Sequence, residues 1–269
     1  MLMECYDRYS FSHTADKEYT DGTYTHMHNG YEMLYYVRGD AEYIIEGSVY
    51  QLRPGTLLFI RPRAFHNLSP LSPTDYERFV IGFPESKIPD QLRSFAEVAR
   101  EIYEIPKGSF IDTFFSEWAE AERVCTEAEL NILLDSAVER LLLHLKYLPE
   151  RTRPKPIRMN GVLEGVLKYI DEHLSEKLTA ETLAARFFVS SSWITHTVKD
   201  ELGISLMQYI GKKRILYAEA LIENGISPSD AAKACGYDTY TTFYRQYKKH
   251  TGRSPAEKRS RQGEEKTRR

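Results

Sequence analysis

The sequence predicts a two-domain α+β protein. A small β-barrel or sandwich with helices behind it comes first. An all-α domain follows, with two helix-turn-helix units joined by a helix. Three observations predict this. Short runs rich in β-branched and aromatic residues, separated by turn signals, fill 31–83. The polar segment Pro149-Glu-Arg-Thr-Arg-Pro-Lys-Pro156 carries three prolines and reads as a linker. Beyond it the apolar spacing is helical with no convincing strand, and one helix-turn-helix pattern occurs twice.

The bulk numbers fit two ordinary domains in 269 residues. Hydrophobic residues make up 42% and charged residues 28%, the balance of a soluble globular chain. No apolar run approaches the ~20 residues of a membrane span, so no membrane partner is expected. The first residues lack a basic segment followed by an apolar core, so no signal peptide is expected. Cys5, Cys125 and Cys235 are odd in number and far apart, which argues against a disulfide framework and fits a reducing cytoplasm. The net charge of -3 hides an asymmetry: 161–269 carry 18 Lys+Arg and 14 Asp+Glu, a balance of +4, which leaves -7 for 1–160. A basic half beside an acidic half suits a nucleic-acid module joined to something else.

In order, the strands are expected at 34–37, 41–45, 49–52 and 56–60, divided by Arg38-Gly-Asp40, Glu46-Gly-Ser48, Arg53-Pro-Gly55 and Arg61-Pro62. Helical periodicity begins near Gln91 and is clear over 127–148. There Leu130, Leu133, Leu134, Ala137, Val138, Leu141, Leu142, Leu145 and Leu148 form one apolar stripe. The stripe can pack on its own barrel, form a dimer interface, or serve both.

The first helix-turn-helix begins at Thr179, a natural cap, with Leu183, Ala184 and Phe187 inward. Phe188 and Val189 make the turn, and Ser190 caps the next helix. Its Ile194 and Val198 face inward, which leaves Ser192, Thr195, His196 and Lys199 on the outer face that would meet DNA. The second copy repeats the plan. Ala231, Ala232 and Cys235 face its core, Gly236 turns the chain, and Phe243 and Tyr247 form the inward pair. Thr241, Thr242, Arg245 and Lys248 are then outward. Arg245 is the leading base reader, because its planar fork matches the guanine O6/N7 acceptors, a contact worth roughly 1–3 kcal/mol of discrimination. Lys248 and Lys249 suit phosphate. A continuous helix over 206–222 would hold the copies rigidly, for successive major-groove faces about 34 Å apart.

These positions resemble the AraC/XylS family of bacterial transcription regulators. The matching residues are Ala231, Ala232, Gly236, Tyr237, Phe243, Arg245, Tyr247, Lys248, Gly252, Ser254, Pro255 and Arg259. Upstream, Leu183, Ala184, Ser190, Ile194, Lys199, Gly203, Ile204 and Tyr209 match the first unit, and Lys213, Arg214, Ile215, Ala218 and Leu221 the connecting helix. Tyr237 and Tyr247 stand where phenylalanine is usual, Val198 is smaller than usual, and His196 replaces a common arginine. The match covers about 160–259. It implies double-stranded promoter DNA as partner, a homodimer, and RNA polymerase contact for an activator.

Upstream, His26-Met-His28, Glu32 and Gly39, then Gly55, Pro62 and His66, resemble the two cupin motifs, whose three histidines and glutamate converge in a β-barrel. Such a set suits Zn, Mn, Fe or Ni. The second motif departs from the enzymatic pattern, since 61–65 lacks its proline-x-glycine turn. Sensory relatives bind a small molecule without metal, and a sugar is the class the resemblance suggests. His26, His28, Glu32 and His66 are therefore the expected effector residues, with a divalent metal as one occupant and direct hydrogen bonding as the other. Tyr24, Tyr36 and Phe65 are candidates for the same mouth. The implied domains are 1–148 for sensing and dimerisation, 149–156 as linker, 157–259 for DNA, and 260–269 as a charged disordered tail. A regulator rather than an enzyme is expected; the alternative is a metal-dependent cupin enzyme with an appended helical domain.

Overall fold

Residues 31–36 are buried without alternation, because their strand is covered on both faces. The computed structural model describes residues 9–16, 26–72, 75–149 and 155–257. Tyr24, Arg259, most of the linker and the 260–269 tail lie outside the described residues.

The first domain runs β1 (Ser10–Asp16), β2 (Tyr31–Arg38), β3 (Ala41–Ile45), β4 (Ser48–Gln51), β5 (Thr56–Ile60), β6 (His66–Pro70) and β7 (Tyr76–Phe83). Helix α1 (Asp90–Val98), β8 (Ile102–Glu104), α2 (Phe110–Val124) and α3 (Glu127–Lys146) follow. Two antiparallel sheets result, ordered β1-β7-β2-β5-β8 and β6-β3-β4-β9, where β9 (Arg158–Met159) comes from beyond the linker. They face each other across Leu34, Tyr36, Tyr43, Ile45, Leu58 and Tyr76. The outer face of the five-stranded sheet packs Met33, Tyr35, Phe59 and Phe79 on the three helices through Leu92, Phe115, Trp118, Leu134, Val138 and Leu141.

The strand positions follow the turn residues as expected, but the sheets do not close into a barrel. Ahead of β2, His26 pairs with the start of β6 in an isolated bridge, exchanging backbone bonds of 3.1 and 3.2 Å with His66. The 127–148 stripe packs on its own domain through Leu134, Ala137, Val138, Leu141, Leu142 and Leu145. Leu133, by contrast, is 40% exposed. A capping box between Thr126 and Glu129 starts this helix.

The second domain is α4 (Gly161–Glu172), α5 (Ala180–Phe187), α6 (Ser191–Leu202), α7 (Leu206–Glu223), α8 (Pro228–Ala234) and α9 (Tyr240–Thr251). One correction applies to its start. The sequence reads as helical throughout after the linker, yet residues 158–159 form β9 and pair with β4, Ser48 opposite Met159 and Val49 opposite Arg158. The Ile157 N–H also donates to the Val49 carbonyl at 2.8 Å. Docking of the two domains, rather than local propensity, makes this strand. No described helix is long and apolar enough to cross a membrane.

Candidate functional site

The two helix-turn-helix units are built by caps and by inward apolar pairs. The Thr179 hydroxyl accepts from the Thr182 N–H at 3.2 Å and opens α5; Phe188 closes it in a left-handed conformation with φ 56°. Ser190 accepts from the Trp193 N–H at 3.0 Å and opens α6. Ser227 and Thr239 do the same for α8 and α9. Leu183, Ala184, Ile194 and Val198 are buried with Leu206, Tyr209, Ile210 and Leu216 of α7. Phe243 and Tyr247 are buried with Ala231, Ala232, Cys235 and with Ile215, Ala218 and Ile222 of the same helix. One helix therefore serves both cores and fixes the units to each other.

The opposite faces are left to solvent. Ser192, Thr195, His196 and Lys199 on α6 are all exposed, as are Thr241, Thr242, Arg245 and Lys248 on α9. Thr195 folds its hydroxyl back on the Ser191 and Ser192 carbonyls at 3.0 and 2.9 Å. Thr242 bonds the capping Thr239 at 2.9 Å. Both hydroxyls are thus partly engaged within their own helices. Tyr240 and Tyr244 share the outer surface of α9, 44% and 39% exposed. Sequence reasoning did not single them out; the exposed aromatic i, i+4 pair beside Arg245 was the available signal.

The second candidate site lies at the bridge between His26 and His66. His26, His28, Glu32 and His66 bring one ligand atom each to within 4.8 Å of one another. His28, Glu32 and His66 are buried. Backbone carbonyls orient two of the rings. His28 Nδ1 lies 2.8 Å from the Gly30 carbonyl and His66 Nδ1 2.9 Å from the Ala64 carbonyl. A carbonyl only accepts, so each Nδ1 carries its hydrogen and each ring turns its Nε2 inward. The two Nε2 atoms face Glu32, at 3.4 Å for His28 and 3.8 Å for His66, while His66 Nε2 meets His26 Nε2 at 2.9 Å.

Burial, aided by His26, pushes the His66 imidazole well below its usual pKa, so it stays neutral. Burial alone would raise the Glu32 carboxyl, but the His28 hydrogen bond and the His66, His28 and His26 imidazoles outweigh it and hold it well below the carboxylate range. The Tyr43 ring stacks on His66 at 6.0 Å, and burial followed by the Glu32 charge keeps its hydroxyl protonated. Three ring nitrogens and a buried carboxylate converge on one centre. Ring nitrogens anchored by carbonyls are also how metal-binding histidines are held, so the donor set fits a divalent cation.

Two aromatic candidates lie elsewhere. Tyr36 sits in the sandwich interior against Tyr76, rings 5.7 Å apart, and no described contact joins it to the histidines. Phe65 corrects the expectation of a mouth residue. Its neighbour His66 points into the cluster, so strand alternation turns Phe65 the other way, onto Tyr209 of α7 at 5.8 Å. Tyr43 is the aromatic neighbour that sequence reasoning missed.

Comparison with known proteins matches two families to separate stretches of the chain. Residues 9–144 match the family described as an AraC-like ligand binding domain, and residues 183–261 match a helix-turn-helix domain family. The HTH-type transcriptional regulator YfiF of Bacillus subtilis is 25% identical over 248 residues, 87% of this chain and 77% of that protein. The arabinose operon regulatory protein of Escherichia coli is 25% identical over 240 residues, 86% of this chain and 80% of that protein. Among solved structures, ToxT of Vibrio cholerae aligns over 93% of this chain and 96% of its own, at 12% identity and a TM-score of 0.39.

Proposed function

The chain belongs to the AraC family of transcriptional regulators, and from that premise we propose how it reads DNA and where it takes its effector. The observation that carries the reading is a buried scaffold shared through α7 beneath two exposed polar helix faces. On that scaffold α6 and α9 enter successive major grooves of promoter DNA. Arg245 reads a guanine edge. Lys199, Lys248 and His196 meet phosphate or base edges, and Ser192, Thr195, Thr241 and Thr242 supply short polar contacts. The protein acts where that DNA lies, in the cytoplasm, as a regulator and not as an enzyme. RNA polymerase is a further partner where it activates.

The effector site is His26, His28, Glu32 and His66, which would hold a divalent cation, with the Tyr43 ring stacked on His66. Held by these residues, a cation would supply a Lewis-acidic centre suited to a hydroxyl-rich effector such as a sugar. The chain's own part is to aim the ring nitrogens and the Glu32 carboxyl and to exclude water. The direct test is calorimetric titration of chelator-treated protein with Zn2+. One ion per chain is expected, with affinity lowered at least about 100-fold when His28 and His66 are both changed to Ala. Equal affinity in that double variant, or no binding to the parent, removes the metal from the reading.

The protein works as a homodimer joined through the outer face of α3, where Ile132 is 70%, Leu143 44% and Tyr147 75% exposed. These lie on one side of the helix, away from the stripe that packs inward. Ile132→Asp with Leu143→Asp is expected to turn a dimer into a monomer in sedimentation velocity without lowering the melting temperature of the fold. A dimer that survives both changes places the interface elsewhere.

A further inference from the structure

The segment holding the histidine cluster has a second face, and that face is the seam between the domains. Met27 lies between His26 and His28, and Phe65 precedes His66. Both Met27 and Phe65 are buried in the core of the first helix-turn-helix with Leu163, Val166, Leu167 and Tyr209. The cluster and the seam are thus opposite sides of the same two backbone strands, only a chain's thickness apart.

A charged contact crosses the seam beside them. Glu46, in the β3–β4 turn, holds a left-handed conformation at φ 46°, which a non-glycine residue keeps only under constraint. One carboxylate oxygen accepts from the Phe65 N–H at 2.7 Å and from Lys213 Nζ at 2.7 Å; the other accepts from the Tyr209 hydroxyl at 2.8 Å. Lys213 also bonds Asp171 at 2.8 Å, and its side chain is 2% exposed. Burial lowers the lysine's proton affinity, but the two carboxylates outweigh this, so it keeps its charge. Arg63, whose N–H donates to the His28 carbonyl at 2.8 Å, lies over the Tyr217 ring at 5.4 Å. The first domain therefore touches α7 at Tyr209, Lys213 and Tyr217, a stripe of four-residue spacing on the helix that both units share.

We infer that Glu46 and Lys213 form a latch through which the state of the histidine cluster reaches α7, and so both DNA-reading helices at once. This rests on the effector site proposed above. Any occupant that shifts His28 or His66 pulls the 63–65 backbone through the Arg63, Ala64 and Phe65 bonds, and with it the Glu46 carboxylate. The latch can open because the seam is not sealed. A cavity of about 360 Å³ adjoins it, lined among others by Arg61, Arg63, Asp171 and Tyr217, so water can reach the separated charges.

The test uses the full chain and the variants Glu46→Gln and Lys213→Met, with Zn2+ as probe. Amide exchange over 155–159 and α4 is expected to rise roughly tenfold or more in both variants without any ligand, because the seam opens locally. In the parent, Zn2+ should change affinity for DNA from its own promoter region at least about fivefold. In Glu46→Gln, Zn2+ should bind with unchanged affinity but alter DNA affinity by less than about twofold. Unchanged exchange in both variants overturns the latch, as does a full Zn2+ effect retained in Glu46→Gln. A parent that binds no Zn2+ instead fails the effector reading, and the exchange result then decides the latch on its own.

Discussion

Gly236→Ala is expected to melt the DNA-binding domain about 10 °C or more below the parent. Two effects add. Gly236 sits at φ 73°, where a residue with a Cβ loses about 1–2 kcal/mol. An added Cβ would also lie 2.7 Å from the Leu174 carbonyl oxygen, 2.9 Å from that of Ser175 and 2.9 Å from Arg214 Nη2. Two of those atoms are backbone and cannot swing aside, so overpacking adds about 1–3 kcal/mol. The crowding has a purpose. Arg214 bonds the Leu174 and Glu176 carbonyls at 3.0 and 2.7 Å and lies over the Tyr237 ring, so the turn of the second unit is clamped to the end of α4. Each kcal/mol moves the midpoint of a domain this size by about 4–8 °C. Gly211→Ala is the control. It lies inside α7 with nothing within 4 Å of an added Cβ, and should gain up to about 1 kcal/mol. A Gly236→Ala midpoint within 2 °C of the parent would falsify this account of the turn.

Arg245→Ala is expected to cost about 1–3 kcal/mol in operator binding, roughly 5- to 150-fold, with a far smaller loss on random DNA. The helix beneath is held by the buried Phe243 and Tyr247, so the change removes a contact without moving the scaffold. Lys248→Ala is the counterpart. A phosphate contact carries no sequence information, so affinity should fall alike on both DNAs and the salt dependence should flatten by about one ion. Competition binding at several salt concentrations separates the two. Equal losses of Arg245→Ala on operator and random DNA assign Arg245 to phosphate instead.

Much of this was legible in residue order, for physical reasons. Helix caps are local chemistry, so Thr179 and Ser190 announced their helices. Inward i, i+4 pairs such as Ile194 with Val198, and Phe243 with Tyr247, are dictated by helix geometry. Three histidines and a glutamate were expected to converge because few other jobs need that set, and they do. What stayed hidden depends on contacts between distant segments. Glu46 looked like a turn residue, and its partner lies 167 positions away. Phe65 was read by its company with His66, although neighbours on a strand face opposite ways. Strand β9 has two residues and no propensity of its own, and exists only because the second domain docks. Gly236 read as a turn, but the carbonyls that forbid a side chain there belong to the turn that follows α4.

That two-residue strand also sets the length of a tether. While β9 is zipped to β4, the second domain hangs from the first at Ile157. Once the seam contacts of Met27, Phe65 and Glu46 have parted, unzipping residues 157–159 adds three residues to the tether, about 10 Å at full extension. Along B-DNA that is about three base pairs. In a dimer each protomer would gain that reach, so the tolerated separation of two half-sites widens by about six base pairs. In such a dimer the ladder would act as a slack adjuster, and the spacing of the sites a pair of chains could occupy would depend on residues 157–159, far from any base.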